Sequence, residues 1–429
     1  MSSMEPHPIQ VVVEDDLERS RLTVFFRLLL AIPHFVWYFL WSIGTFFAAI
    51  AAWVVALITG RVSGGLHSFL SAYVRYTTHL FAYLCLAANP YPGFTGQPGS
   101  YPIDVNIPPP ERQNRWKVGF RIFLALPALL LAAVLAGTPG FGGGGGAGGR
   151  GDEPGWTGWT GGGLIFIVAF FAWFVCLVRG RMPNGFRDLQ AYALRYNAQA
   201  QGYVLLLTER YPNSDPSAPP AALPPERPAV QIQVNDDLRR SRITVFFRIL
   251  LFLPHLVWLV LWTIAAFVAV IVGWFAALAT GRLPDALHRF IAAYVRYSTH
   301  IFAYLFLTAN PFPGFTGAAG SYPIDLEIDP PGPQNRWKTL LRVFLAIPAF
   351  FVSGALNSAL FLVGLFGWFV SLATGSMPAG LRNLGAYAQR YAGQTNAYFL
   401  LLTDRYPYGG PWEWAPTPEA EAEPEVAAA

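Results

Sequence analysis

The chain repeats itself at a fixed spacing. Residues 13–30 recur at 234–251, so that Arg27 corresponds to Arg248 and Pro33 to Pro254, each 221 residues later. A fixed-period duplication predicts two structurally equivalent halves. Beyond a glycine-rich segment the offset falls to 195 residues, because the first half holds 26 additional residues near 137–163. An insertion of that size predicts an exposed loop.

Each half is itself a rough duplication. The segment from Phe26 to Pro33 reappears, with its arginine and proline in register, from Phe120 to Pro127. We therefore divide the chain into two membrane repeats, 1–213 and 230–408, each made of two quarters. The four quarters cover residues 11–100, 101–213, 230–321 and 322–408. Residues 214–229 form a proline-rich linker, and the composition of residues 409–429 predicts a disordered acidic tail.

The composition is typical of a membrane protein. Charged residues make up 13% of the chain and apolar residues 54%, whereas soluble domains contain about 25% charged residues. Apolar runs cover residues 22–58, 164–178, 243–279 and 340–373, and a membrane span needs about 20 residues. No cleavable signal peptide is expected, because the first run is much longer than the hydrophobic part of such a peptide.

Two features favour a helical hairpin over one tilted helix in each apolar run. The glycine-rich insertion divides the second run near residue 137, where a turn would lie. Basic residues flank both ends of that run, with Arg115 and Arg121 before it and Arg179 and Arg181 after it. Basic flanks are typical of the cytoplasmic side. We predict a mainly α-helical, polytopic membrane protein with about eight spans in four hairpins and both termini in the cytoplasm.

Each quarter also contains two elements outside the apolar run. Apolar and polar residues alternate in short segments at 9–13, 103–107, 230–234 and 324–328. This alternation predicts strands, either in one small cytoplasmic β-sheet of four strands or as extended linkers. Residues 66–88 predict an aromatic-rich amphipathic helix in the membrane interface, with a re-entrant or spanning helix as the alternative.

Four arginines form the first candidate site within the membrane. Arg27, Arg121, Arg248 and Arg342 each precede a proline by six residues. One hypothesis is a ring of guanidinium groups around a polar path at kinked helices. The other is that each side chain extends to anionic headgroups at the cytoplasmic edge.

Histidines form the second candidate site, because six of the seven pair across the duplication. His34 and His255 lie inside apolar runs, where an ionisable residue indicates function. They are candidates for a proton relay or metal site between the repeats, or for buried hydrogen-bonded side chains. His79 and His300, with Arg75 and Arg296, are interfacial candidates on the predicted amphipathic helices.

The sequence offers no pattern for catalysis. It contains neither an HExxH motif nor a close cluster of cysteine and histidine, so no metal and no cofactor is predicted. The glycine-rich segment lacks the lysine of a phosphate-binding loop. No arrangement suits nucleophilic or acid–base catalysis, and Asp104 and Asp325 are interpreted as turn residues. We predict that the protein is not an enzyme.

Four motifs occur in the same order in both halves. They are Arg-Ser-Arg-[LI]-Thr-Val-Phe-Phe-Arg leading to Pro-His, a Gly-Arg turn, Ala-Tyr-Val-Arg-Tyr, and [YF]-Pro-Gly-Phe. This combination resembles domain of unknown function 4389, a family of bacterial membrane proteins, over residues 11–212 and 230–407. The resemblance implies a membrane location and a repeated domain, and it implies no activity or site residue.

These observations favour a non-enzymatic scaffold or regulator in the bacterial inner membrane. A basic, aromatic cytoplasmic face would bind the anionic headgroups of the lipid bilayer or a membrane-protein partner, and no nucleic acid. The alternative is a small-solute or ion transporter, with its path between the two repeats.

Overall fold

The computed structural model of the protein describes residues 7–137, 163–216 and 228–411. The chain forms two compact units. Of the described residues, unit 1 contains 7–137 and 163–213, and unit 2 contains 214–216 and 228–411. Most of the glycine-rich insertion, most of the proline-rich linker and nearly all of the acidic tail lie outside the described residues.

The described residues are mainly helical, as predicted. Unit 1 contains α1 (Arg21–Leu30), α2 (Ile32–Thr59), α3 (Gly64–Leu84), α4 (Arg115–Gly119), α5 (Arg121–Ala136), α6 (Gly163–Arg179) and α7 (Asn184–Val204). Unit 2 contains α8 (Arg242–Phe246), α9 (Arg248–Thr280), α10 (Asp285–Leu305), α11 (Arg336–Thr374) and α12 (Ala379–Phe399). Of the helices described, α2, α9 and α11 are long and apolar enough to cross a membrane.

The predicted hairpins are wrong. Helix α9 continues for 33 residues and α11 for 39 residues without a turn. In unit 1, Ala31 joins α1 to α2, because its amide donates to Arg27 and its carbonyl accepts from Phe35, both at 3.0 Å. We call residues 21–59, 115–136 with 163–179, 242–280 and 336–374 the long helices. The eight predicted spans are not confirmed, because α9 and α11 are each one continuous helix where two spans joined by a turn were expected.

The insertion interrupts a helix and does not mark a hairpin turn. Its two described ends touch, because a Cβ atom on Gly163 would collide with the backbone of Gly137. The equivalent stretch of unit 2, around Ser358, is uninterrupted α11. The 26 additional residues are therefore inserted at a single position of the long helix.

Joining α5 directly to α6 should preserve the fold. Deleting residues 138–163 and replacing Gly137 by Ser, the residue at position 358, recreates the continuous arrangement of α11. We expect a melting temperature in detergent micelles within a few degrees of the parent chain, because no buried contact of the flanking helices changes register. A variant that loses its cooperative transition would contradict this account of the insertion.

The strands form two separate sheets. In unit 1, β1 (Gln10–Val13) pairs antiparallel with β2 (Ile103–Asn106), and Gln10 lies opposite Asn106. In unit 2, β3 (Val230–Val234) pairs antiparallel with β4 (Ile324–Ile328), and Val230 lies opposite Ile328. All four predicted strands are present, but the single four-stranded sheet is replaced by one two-stranded sheet in each unit.

The centre of each unit is a pair of shorter helices. In unit 1, α3 packs against α7, and both contact the β-sheet; the long helices pack against the same two helices. In unit 2, α10 and α12 take these positions. The expectation that residues 66–88 lie on a membrane surface is therefore wrong for most of α3, because its side chains are mainly buried within the unit.

The long helices present their apolar side chains outward. Helix α2 buries only a narrow stripe that contains His34, Thr45, Ala52 and Ala56. These positions recur every three to four residues, or in multiples of that spacing, so they face one direction on the helix. The large apolar side chains on its other faces, such as Phe39, are exposed. This pattern is typical of a surface that contacts lipid.

Candidate functional site

Arg27 is buried at the carboxyl end of α3. Its Nη1 donates to the carbonyls of Tyr83 at 2.6 Å and Ala88 at 3.0 Å, and its Nη2 lies 3.3 Å from Oδ1 of Asn89. Its Cζ atom lies 4.4 Å from the centre of the Tyr83 ring. The last carbonyls of a helix lack partners within the helix and carry a partial negative charge. The guanidinium group therefore binds and neutralises this helix end.

The equivalent arginine lies at the corresponding helix end in the other three quarters. Arg248 donates to the carbonyls of Tyr304 at 2.5 Å and Ala309 at 3.1 Å. Arg342 donates to the carbonyl of Tyr398 at 2.7 Å and forms an ion pair with Asp404. Arg121 donates to the carbonyl of Thr208 at 3.3 Å and to Gln113. Among the described residues, only Arg342 of these four arginines has a carboxylate within 4.0 Å.

A left-handed leucine follows each of these helix ends. Leu86, Leu206, Leu307 and Leu401 have φ angles of 61° to 69°, a region that costs L-residues about 1–2 kcal/mol. Each leucine carbonyl accepts a hydrogen bond from a distant side chain. The donors are Arg19 and Arg240 in the first and third quarters, and Gln113 and Gln334 in the second and fourth.

A histidine–aspartate pair joins α3 to β2. His79 Nε2 lies 2.8 Å from Oδ1 of Asp104, and both side chains are nearly inaccessible to solvent. Arg75, one turn earlier on α3, donates to the carbonyl of Val105 at 3.0 Å. The Tyr101 ring stacks on His79 with 5.0 Å between ring centres. Two of the interfacial candidates, Arg75 and His79 of α3, therefore bind the same strand, β2.

Unit 2 repeats this arrangement. His300 Nε2 lies 2.7 Å from Oδ1 of Asp325, and Arg296 donates to the carbonyl of Leu326 at 2.9 Å. The Tyr322 ring lies 5.0 Å from His300. Each carboxylate accepts the amide of a turn glycine, Gly99 or Gly320, as expected of a turn residue, and it also pairs with a histidine of the central helix. Sequence reasoning missed the pairing, although each aspartate follows its histidine by the same 25 residues.

The environment of Asp104 favours its charged form. Burial raises the pKa of this carboxyl group, but hydrogen bonds from His79 and from the amides of Gly99 and Val105 outweigh burial and hold the pKa below its ordinary value of 3.8. Asp104 is therefore an anion under physiological conditions, and it connects α3, β2 and the turn at Gly99.

His34 and His255 each lie inside an aromatic cage within their own unit. His34 Nδ1 is 3.1 Å from the hydroxyl of Tyr76, and its ring stacks on Phe94 with 4.2 Å between centres. His255 Nδ1 is 2.9 Å from the hydroxyl of Tyr297, and its ring stacks on Phe315. Both histidines are fully buried. The Pro-Gly-Phe turns therefore cover the histidines, and a shared site of His34 with His255 stays a prediction.

These contacts indicate that the buried polar residues stabilise the fold. Arginine closes helix ends, aspartate and histidine join a helix to a strand, and the caged histidine joins α2 to α3. Within the described ranges, no group of three or more metal-binding side chains is close enough to hold a metal ion.

The long helices of each unit meet at two junctions, where the start of one lies beside the end of the other. In unit 1, the Arg19 amide donates to the carbonyl of Gly180 at 2.9 Å, and the Gln113 amide donates to that of Gly60 at 2.8 Å. In unit 2, the equivalent acceptors are Gly375 and Gly281. These pairings set the two long helices of a unit antiparallel at both ends.

The junctions carry exposed basic side chains. In unit 1 these are Arg21, Arg61, Arg112, Arg115, Lys117, Arg179 and Arg181, and in unit 2 Arg239, Arg242, Arg282, Arg336 and Lys338. Three of them also close the end of the neighbouring long helix: Arg21, Arg242 and Arg336 donate to the carbonyls of Val178, Ala373 and Ala279.

The repeated Gln-Asn-Arg-Trp-Lys motif lies at two of these junctions. The Asn114 side chain accepts from the amides of Trp116 and Lys117 and begins α4, and Lys117 lies 2.7 Å from Glu209. The Trp116 side chain points outward and is 79% exposed, and Trp337 is 74% exposed. Exposed tryptophan beside arginine and lysine is typical of the boundary between lipid and water.

Comparison with known proteins gives one family. The model of a domain of unknown function (DUF4389) matches residues 21–95, 158–214, 242–316 and 336–410. No curated protein and no solved structure matches the chain. The family matches cover more than half of the chain, with one match in each quarter. Three matches begin at the first residue of a long helix, and the match in the second quarter covers only the second part of that quarter. The chain therefore belongs to the domain of unknown function 4389 family and carries four tandem copies of that domain.

Proposed function

We propose that the protein is a non-enzymatic scaffold or regulator of the bacterial inner membrane, with both termini in the cytoplasm. Its junctions bind anionic lipid headgroups, and its apolar faces contact lipid or a membrane-protein partner. The observation that carries this proposal is the exposed basic and tryptophan side chains at the ends of helices whose outer faces are apolar.

The energetics of the junctions support lipid binding. Each lysine or arginine near an anionic leaflet contributes about 1 kcal/mol of attraction. The indole rings of Trp116 and Trp337 suit the headgroup level, because they combine an apolar body with a polar N–H group. Together these groups favour a membrane surface rich in anionic lipid.

The buried polar groups support a scaffold over a transporter. A transport path needs ionisable side chains that water reaches, whereas the His34 ring is enclosed by Tyr76 and Phe94, and the Arg27 guanidinium group is occupied by helix carbonyls. These contacts stabilise one conformation of each unit.

Removing junction charge should weaken the binding of anionic lipid. We expect the double variant Arg61→Gln/Arg282→Gln, which removes one arginine from a junction of each unit, to lower the apparent affinity for phosphatidylglycerol by roughly fivefold, at about 1 kcal/mol per arginine. Both side chains are exposed, so the fold should persist. The measurement is the rise in melting temperature as phosphatidylglycerol is titrated into detergent micelles.

A charge-matched variant on the sheets serves as the control. Gln10→Glu/Asn235→Glu makes the same change in net charge at exposed positions in β1 and just after β3, and position 235 then matches Glu14 of the first half. This variant should keep the parent response to phosphatidylglycerol. An equal response of the parent chain to phosphatidylcholine, or equal losses in both variants, would contradict specific binding at the junctions.

A further inference from the structure

We infer that the long helices lie in the plane of the cytoplasmic leaflet, with both ends at the same membrane face, and do not cross the bilayer. The occupant of their apolar faces is then the lipid of one leaflet. This inference rests on the proposed membrane function and specifies how the protein contacts lipid.

The first argument is helix length. Helix α11 has 39 residues, about 58 Å at 1.5 Å per residue, whereas the hydrocarbon core of a bilayer is about 30 Å thick. Its exposed apolar side chains extend from Leu340 near the start to Phe369 near the end. These two residues lie about 44 Å apart along the helix, so a helix that stood upright across the bilayer would carry the side chains near its ends out of the hydrocarbon. An in-plane helix keeps both ends of the apolar stretch at the level of one leaflet.

The second argument is the position of the β-sheet along the long helix. Helix α3 runs antiparallel along the first long helix, since His34 contacts Tyr76 at 3.1 Å and Ser42 contacts Tyr73 at 2.9 Å. These contacts lie near the middle of residues 21–59. From the same stretch of α3, Arg75 and His79 bind β2. The sheet is therefore level with the middle of the long helix.

A crossing helix would then bring the sheet to the centre of the bilayer. The sheet of unit 1 exposes Gln10 and Asn106, and a two-stranded sheet has two edges with no neighbouring strand. Lipid-exposed sheet edges do not occur in hydrocarbon, because each unsatisfied polar group costs several kcal/mol. With the long helices in the plane, α3 and α7 separate the sheet from the lipid.

Unit 2 gives the same result from its own contacts. His255 lies 2.9 Å from Tyr297, and Thr263 lies 3.0 Å from Tyr294, near the middle of residues 242–280. Arg296 of α10 then binds β4. The exposed Glu327 of β4 would be a charge at the bilayer centre if the helix crossed.

The third argument is charge at the helix ends. Both junctions of unit 1 expose arginine, with Arg21 and Arg181 at one and Arg61 and Arg115 at the other. A crossing helix would place one junction on each side of the membrane, against the preference of basic residues for the cytoplasmic side. An in-plane helix places both junctions at cytoplasmic headgroups, and apolar faces of such helices enter the leaflet by about 5–10 Å.

Cysteine labelling of the full chain tests this arrangement. Ser20 and Ser63 flank the first long helix, both are exposed, and neither side chain caps a helix. Ser20→Cys and Ser63→Cys therefore report on its two ends with little change in structure. The parent chain gives the background, because Cys85 and Cys176 are buried.

The two orientations of membrane vesicles give distinct outcomes. With a membrane-impermeant maleimide, we expect both variants to react in inverted vesicles and neither to react above background in right-side-out vesicles. Reaction of the two variants in opposite preparations would overturn the inference, as would reaction of either in right-side-out vesicles. Failure of both to react in inverted vesicles would also overturn it, because the ends would then lie below the headgroups. If labelling shows that the helices cross the bilayer while the response to phosphatidylglycerol is intact, the in-plane arrangement is refuted and the proposed function is not.

Discussion

Replacing Arg248 by Gln should lower the free energy of unfolding by about 3 kcal/mol. Arg248 is 2% exposed, its guanidinium group donates to two carbonyls at the end of α10, and its Cζ atom lies 4.3 Å from the Tyr304 ring centre. Glutamine is too short to reach them, so buried acceptors lose their partners at about 1–3 kcal/mol each. Relief of the desolvation cost of the buried cation offsets part of this loss.

Two further variants separate the buried network from a general loss of charge. Arg242→Gln removes an exposed arginine with one hydrogen bond, 3.0 Å from the Ala373 carbonyl, and should cost about 1 kcal/mol or less. Arg248→Lys keeps the charge but loses the planar fork, so its loss should lie between the other two. Denaturant titration in detergent micelles measures all three. Equal losses for Arg248→Gln and Arg242→Gln would show that the helix end does not depend on its buried arginine.

Local elements of the fold could be predicted from the sequence because their signals are local. Alternation of apolar and polar residues placed all four strands within one residue of their observed limits. The prediction of one shared sheet was wrong, because strand pairing depends on contacts across about 90 residues, such as that of Val11 with Val105. No short-range pattern encodes these contacts.

The error about hairpins has a physical cause. The insertion near Gly137 interrupts the second quarter, and a turn there satisfied the preference of basic residues for one side of a membrane. An in-plane helix satisfies the same preference without a turn. The sequence alone could not distinguish a hairpin from an in-plane helix. The spacing of apolar residues indicates neither where a helix bends nor how deep it lies in the membrane.

The candidate site was only partly predictable. The repeats singled out His34 and Arg27, and both are buried, but their partners are mainly backbone carbonyls and a tyrosine on a later helix. Such acceptors exist only once α3 is folded against the long helix. The pair of His79 with Asp104 left a usable signal, since both residues recur together as His300 and Asp325.

Replacing Asp104 by Asn should make the free energy of unfolding fall less steeply as the pH is lowered. The pKa of Asp104 is held below 3.8 in the folded protein, because hydrogen bonds from His79, Gly99 and Val105 outweigh burial. A carboxyl group with a lowered folded pKa stabilises the protein fully above its unfolded pKa. That contribution is lost as the pH falls through 3.8 and on to the folded pKa.

The parent chain should therefore lose stability in this window more steeply than the variant, by up to about 1.4 kcal/mol per pH unit for one proton. The variant should also be less stable at pH 7, where the parent carboxylate is charged and fully hydrogen-bonded. Glu14→Gln is the matched control, because it removes an exposed carboxylate beside the same sheet and should keep the parent slope. Unfolding free energies at pH 3 to 7 in detergent micelles provide the comparison. Identical slopes for Asp104→Asn and the parent chain would show that the carboxylate is not the anion that joins α3 to β2.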